Sequence, residues 1–134
     1  MVKLILVTHG NLAAEMLNTA AQILGKTAEG VQTLSVTTSS SIEQGAKELK
    51  KLMDQTPEGV IVLTDIFGGS ATNIALTASK DYPKCHVITG LNLSMLLTAL
   101  NSRKKLNDKE LAEKIESDGK RAVINATELL IKGL

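Results

Sequence analysis

The chain has 134 residues, 43% apolar and 22% charged, with a formal net charge of +1. That balance describes one globular domain, long enough to bury a real core. It excludes the electrostatic footprint of a protein that binds DNA, RNA or an anionic membrane surface. Tyr82 and Phe67 are the only aromatic residues, so stacking platforms for bases or sugars are excluded as well. Cys85 is the only cysteine, which rules out an internal disulfide and fits a reducing compartment. It precedes an apolar run and reads as a small buried hydrophobe rather than a reactive thiol. The opening stretch, Met1 to Val7, is too short for a signal peptide. No apolar run approaches the ~18 residues of a membrane span, so a cytoplasmic protein is expected.

Leu4 to Val7 is a continuous aliphatic run, the pattern of a central parallel strand buried on both faces. It ends in Thr8-His9-Gly10-Asn11. Leu12, Met16, Ala20 and Leu24 then recur at helical spacing, with Asn11 as the expected N-cap and Gly25 as the stop. Val31 to Val36 reads as a shorter, more exposed strand. In the hydroxyl-rich tract Thr37 to Ser41, Ser40 with Glu43 predicts a capping box. Ile42, Ala46, Leu49 and Met53 mark the helix that follows, whose charged residues are read as a solvated face. Val60 to Thr64 is a third strand. It runs directly into Asp65-Ile66-Phe67-Gly68-Gly69-Ser70, and a helix continues through Ile74, Ala75 and Ala78. Cys85 to Thr89 is a fourth strand, followed by a very apolar helix, Leu93 to Leu100, expected in the core or at a subunit interface. Asn107 and Glu110 predict another capping box, opening a helix through Leu111 and Ile115. From Lys120 onward the pattern fits helix and strand equally well.

Strands alternating with helices, with no linker or internal repeat, define a single α/β domain with a mostly parallel sheet. In such a sheet ligands bind at the carboxyl ends of the strands, where the winding reverses. A strand order of 2-1-3-4 puts the loop bearing His9 beside the loop bearing Asp65. A histidine with one free ring nitrogen is a nucleophile, and a carboxylate on the other nitrogen fixes the tautomer and stabilises developing positive charge. Gly68, Gly69 and Ser70 supply amides and a hydroxyl suited to a phosphoryl group at the start of a helix. Thr8, Gly10, Phe67 and Asn73 line the same pair of loops. Each piece also has a plainer reading: a hydrogen-bonded loop histidine, an ordinary Gly-Gly turn, a helix-capping aspartate and, for Phe67, a hydrophobic plug over the sheet edge. His86, opening an apolar strand, reads as structural. Two separated histidines without an acid cluster make a poor metal site, and neither metal nor cofactor is expected.

At these residues the chain resembles the IIA component of the mannose family of the bacterial phosphoenolpyruvate-dependent sugar phosphotransferase system. The matching pieces are Thr8-His9-Gly10 with Ala14-Glu15, the run Asp65 to Asn73, and the run Ile88 to Leu96, in the family's order and spacing. The resemblance covers the domain from end to end. It implies that His9 carries the phosphoryl group on Nε2, accepting it from the phosphocarrier protein HPr and passing it to a IIB protein, with Asp65 orienting the ring. Gly68, Gly69 and Ser70 correspond to the family's phosphate loop. It also implies a homodimer in which a C-terminal strand crosses antiparallel onto the partner's sheet, which would account for residues 122–131. The chain length leaves no room for a fused IIB domain, so a separate IIB protein is expected. Contact with the membrane, through IIC and IID components at its inner face, would be indirect. The family commonly has proline where this chain has Ala71, and its loss is expected to loosen the loop slightly.

Other classes fit less well. A response-regulator receiver needs an acidic cluster after its first strand, where this chain has Thr8-His9-Gly10. A small hydrolase would use Ser70 as nucleophile beside His9. The phosphoryl-donor domain of a dihydroxyacetone kinase system and a non-catalytic anion-sensing module remain the alternatives.

Overall fold

The computed structural model describes residues 1–133 except 27, 38 and 55. Thr38, within the hydroxyl-rich tract, and the terminal Leu134 lie outside the described residues. Elements alternate as expected: β1 (Lys3–His9), α1 (Leu12–Leu24), β2 (Gln32–Val36), α2 (Ile42–Met53), β3 (Val60–Thr64) and α3 (Ser70–Ser79). There follow β4 (Cys85–Ile88), α4 (Leu93–Ser102), α5 (Asp108–Arg121) and α6 (Ala126–Ile131). The four strands form one parallel sheet in the order β2-β1-β3-β4.

The strand pattern follows from having helices on both faces. Leu4, Leu6, Ile61 and Leu63 point to one side, where Ala13 and Ala20 of α1, Leu96 and Ala99 of α4, and Leu111 and Ile115 of α5 cover them. Ile5, Val7, Val60 and Val62 point to the other, against Leu49 and Met53 of α2 and Ile74 and Ala78 of α3. Alternate residues of β1 and β3 are therefore apolar on both faces, and the sequence shows an unbroken aliphatic run. On β2, an edge strand, Thr33 and Ser35 face solvent while Val36 is buried. The apolar α4 helix belongs to the core: Met95, Leu96 and Ala99 are buried, with Leu93, Leu97 and Leu100 packed beside them.

Helix ends show which cap signals were decisive. Asn11 occupies the N-cap of α1 but makes no side-chain cap bond. Instead the buried Thr8 hydroxyl accepts from the Ala13 N–H at 2.8 Å. In α2 the cap lies one residue later than expected: Ser41 Oγ accepts from the Gln44 N–H, whereas Ser40 Oγ accepts from the Thr37 N–H. The Ser40–Glu43 capping box does not form. The Asn107–Glu110 box forms in both directions, and Gly25 ends α1 at φ 68°, a left-handed position that costs glycine little.

Residues 120–133 resolve differently from a strand. Helix α5 runs to Arg121, residues 123–125 have no ladder partner, and Leu129, Leu130 and Ile131 lie in the short helix α6. The antiparallel C-terminal strand implied by the resemblance is thus not formed among the described residues of the single chain. Val123, Leu130 and Ile131 are 85%, 72% and 80% exposed. Among the described residues no helix is long and apolar enough to cross a membrane.

Candidate functional site

The site forms where the winding reverses, between the carboxyl ends of β1 and β3. Paired registers of β1 and β3 run from Lys3↔Val60 to Val7↔Thr64, so Asp65, one residue past the end of β3, emerges beside His9, the last residue of β1. One carboxylate oxygen, Asp65 Oδ2, accepts from both the His9 backbone N–H and its ring nitrogen Nδ1, each at 2.9 Å. The other, Oδ1, accepts from the Ile66 N–H at 2.9 Å. Asp65 is therefore not the cap of α3, whose N-cap is Gly69. Burial raises the Asp65 pKa, but the His9 backbone and ring contacts and the Ile66 N–H outweigh it, and the carboxyl ends below its ordinary range. An ionised carboxylate only accepts hydrogen bonds, so His9 donates from a protonated Nδ1, and in the neutral ring the free lone pair then lies on Nε2.

Gly69 sets the distance between that ring and α3. A Cβ on Gly69 would lie 3.1 Å from His9 Cε1 and 2.9 Å from Ile66 Cγ2. Gly69 is the N-cap of α3, so the edge of the His9 ring lies against the start of that helix. There the first N–H groups lack intrahelical acceptors and the helix dipole favours negative charge. The Gly69 N–H itself donates to the Ile66 carbonyl at 3.3 Å, so Gly69 supplies room rather than a donor. Gly68 sits at φ +83°, a conformation glycine adopts without strain. Gly10, at φ +57° and exposed, leaves the other side of His9 open.

Beneath the loop lies a feature the sequence did not announce. The Thr72 hydroxyl donates to the Ile66 carbonyl at 2.7 Å. Having one proton, it must accept from Thr64 Oγ1 at 2.7 Å and Thr89 Oγ1 at 3.2 Å. Three hydroxyls from the ends of β3 and β4 and from α3 thus hold the Asp65–Gly69 turn from below. Ala71, in the first turn of α3, is fully buried in the core on the α2 and α3 side of the sheet.

The other residues singled out in the sequence fall as follows. Thr8 is buried, its hydroxyl turned to α1. Asn73 is exposed on the first turn of α3. Phe67 is 78% exposed and Ile66 60%, so the plug reading of Phe67 does not hold. His86 Nε2 pairs with Asp108 Oδ2 at 2.7 Å and ties β4 to the start of α5, consistent with a structural role. Cys85 packs against the core, and burial pushes its thiol up to about 11, leaving it protonated at neutral pH.

A doubly wound α/β domain with a histidine–carboxylate pair at its switch point is the class these features define. The EIIA-man family model, described as "PTS system fructose IIA component", matches residues 3–116, and the chain belongs to that family. The mannose-specific EIIAB component of Escherichia coli (strain K12) is 33% identical over 112 residues, 76% of this chain. The chain spans only about a third (32%) of that relative's length. The sorbose-specific EIIA component of Klebsiella pneumoniae is 26% identical over 118 residues, 87% of this chain and 86% of the relative. Among solved structures, the phosphotransferase system component EIIA from Streptococcus agalactiae superposes with a TM-score of 0.86 at 27% identity, covering 96% of this chain and 99% of that one. A mannose/sorbose specific IIA subunit from Enterococcus faecalis gives 0.82 at 32% identity, covering 92% and 93%.

The Asp65 carboxylate makes a pH prediction. Its folded-state pKa lies below the ordinary value of 3.8, so the stability it contributes is complete above that value and is lost as pH falls through the lowered one. Asp65→Asn should be less stable than wild type at neutral pH, and the gap in urea midpoint should close as the pH drops below the ordinary carboxylate range.

Proposed function

We propose that the chain carries a phosphoryl group on His9 Nε2, accepting it from phosphorylated HPr and passing it to a IIB partner. The observation that carries this reading is the double hydrogen bond from His9 to Asp65 Oδ2, which holds the proton on Nδ1 and leaves Nε2 free. In the forward step the Nε2 lone pair attacks the phosphorus of the donor's phosphohistidine. A new N–P bond forms as the donor's N–P bond breaks, and that bond's electron pair returns to the donor ring. Positive charge that grows on the His9 ring is stabilised by the carboxylate on Nδ1–H. The transferred oxygens meet the start of α3, where the Gly68 and Ser70 amides and the Ser70 hydroxyl act as donors. Transfer to the IIB protein is the same displacement with His9 as leaving group.

Belonging to this family makes the chain a phosphotransferase-system component of a sugar-uptake phosphorelay. We place the protein on the cytoplasmic side, reaching the membrane components IIC and IID only through its partners. Exposed Phe67 and Ile66, beside His9, are where we place protein contact. The alternative of a dihydroxyacetone kinase donor uses the same His9 chemistry and differs only in the acceptor.

With phosphorylated HPr as donor, the wild-type chain should acquire an acid-labile, base-stable phosphoryl group, and His9→Ala none. Label retained in His9→Ala would remove the assignment. Asp65→Ala should fold and be labelled more slowly by roughly 10- to 100-fold, the scale of losing a carboxylate that orients a histidine.

We further propose a homodimer in which the segment after α5 lies along the open edge of β4 of its partner. Supporting this are the edge strand β4, which has no neighbour on one side among the described residues, and a tail whose Val123, Ile124, Leu130 and Ile131 face outward, a combination of unpaired edge and apolar surface that single chains avoid. Light scattering should give a dimer for the full chain and a monomer after removal of residues 122–134; an unchanged mass would contradict the exchange.

A further inference from the structure

We propose that Thr72 is a positioning residue for phosphoryl transfer at His9: its hydroxyl, acting through the Ile66 main chain, holds the Asp65 carboxylate on the His9 ring. The inference rests on the His9 reading given above. It extends that reading to a side chain whose own bonds go to Ile66, Thr64 and Thr89 and not to the ring. Ile66 is the link because packing does little to fix it. Its side chain is 60% exposed, so its place is set by backbone hydrogen bonds. The Ile66 N–H donates to Asp65 Oδ1 at 2.9 Å. Its carbonyl accepts from two donors, the Thr72 hydroxyl at 2.7 Å and the Gly69 N–H at 3.3 Å. The Gly69 bond is at the long end of the range and closes the turn only on itself. The Thr72 bond is the shorter one, and it ties the turn to a buried side chain.

The direction of that bond is settled by its neighbours. A carbonyl can only accept, so the single Thr72 proton is committed to Ile66, and Thr64 and Thr89 donate to the oxygen that carries it. Those two donors come from the carboxyl ends of β3 and β4, so the sheet itself sets the rotation of the Thr72 hydroxyl. Thr72 is 2% exposed and Thr64 fully buried, which leaves water little access to compete. A threonine in a helix ordinarily turns its hydroxyl to a carbonyl of the preceding turn. Thr72 instead reaches six residues back, past the start of α3, to a loop carbonyl. Gly69, the N-cap, brings no capping side chain, so no side chain at that position shares the task of fixing the loop to the helix.

The size of the effect follows from the order of the bonds. Releasing the Ile66 carbonyl lets that residue turn about its own φ and ψ, and the N–H that holds Asp65 Oδ1 turns with it. Asp65 Oδ2 keeps both of its bonds to His9, so the carboxylate is loosened rather than lost. The defect is therefore smaller than that of Asp65→Ala. Transfer slows about three- to tenfold, the scale of one neutral hydrogen bond.

The test compares Thr72→Val, which keeps the shape of the side chain without its hydroxyl, with Thr72→Ser, which keeps the hydroxyl without the methyl. NMR of the unphosphorylated full chain reads hydrogen exchange at the Ile66 amide and the nitrogen shifts of the His9 ring. Labelling by phosphorylated HPr is timed in parallel. Thr72→Val should lose Ile66 protection by about threefold or more, move the ring toward the free-imidazole tautomer mixture and slow labelling. Thr72→Ser should return all three close to wild type. Where Thr72→Val does not fold, Thr72→Ala, which leaves room for a water beside Thr64 and Thr89, is read in the same way. A role confined to stability would lower the urea midpoint and leave the Ile66 and His9 signals unchanged, and that result would overturn the proposal. So would a Thr72→Ser chain as defective as Thr72→Val, because shape rather than the hydroxyl would then be at work. The two NMR signals are read without any phosphoryl donor, so failure of the wild-type chain to take label would remove the His9 reading separately.

Discussion

The site depends on one oxygen atom. Asp65 Oδ2 holds the backbone and the ring of a residue 56 positions away in the chain. The backbone bond fixes where β1 ends relative to β3, and the ring bond fixes the tautomer. A carboxylate bound only to the ring could swing with it, but one that also holds the main chain cannot. The third bond, from Ile66 to Oδ1, closes the carboxylate against its own loop. Three charge-assisted bonds at 2.9 Å keep it ionised despite burial.

That carboxylate is only as well placed as the turn carrying it, and the turn is held from two sides. From below, Thr72 donates to the Ile66 carbonyl while Thr64 and Thr89 donate to Thr72. Loss of the Thr72 hydroxyl would leave the buried Thr64 and the half-buried Thr89 hydroxyls without this acceptor, which is why such hubs rigidify their surroundings. From within, Gly69 turns back to Ile66 and leaves the His9 ring against the helix start. Parallel strands make the arrangement economical: β1 and β3 deliver nucleophile and orienting group from one sheet edge, and the crossover helix α3 presents its N-terminus to the same point.

Much of this was legible in the chain itself. Aliphatic runs without polar interruption announced buried parallel strands, and His9 and Asp65 each followed such a run directly, so the strand order alone made them neighbours. What escaped were choices between equivalent residues. Ser40 and Ser41 are chemically alike, and the backbone geometry after β2 decided which one capped α2. Thr8 displaced Asn11 as the effective cap because it is buried under α1. Thr72 looks like any polar residue on a helix until β3 and β4 bring two more hydroxyls to it. Phe67, read as a plug over the sheet edge, is instead exposed at the tip of the loop between β3 and α3. Leu129 to Ile131 satisfied both strand and helix patterns, and the single chain forms a helix there because no strand edge of its own reaches it.

The most direct measurement is a long-range proton–nitrogen NMR correlation of the His9 ring in the unphosphorylated chain, at a pH where the imidazole is neutral. A protonated Nδ1 and a pyridine-like Nε2 are predicted, with the populations tending toward the free-imidazole mixture in Asp65→Ala. A proton resident on Nε2 in the wild-type chain would contradict the mechanism, because the nitrogen proposed to attack phosphorus would then have no free lone pair.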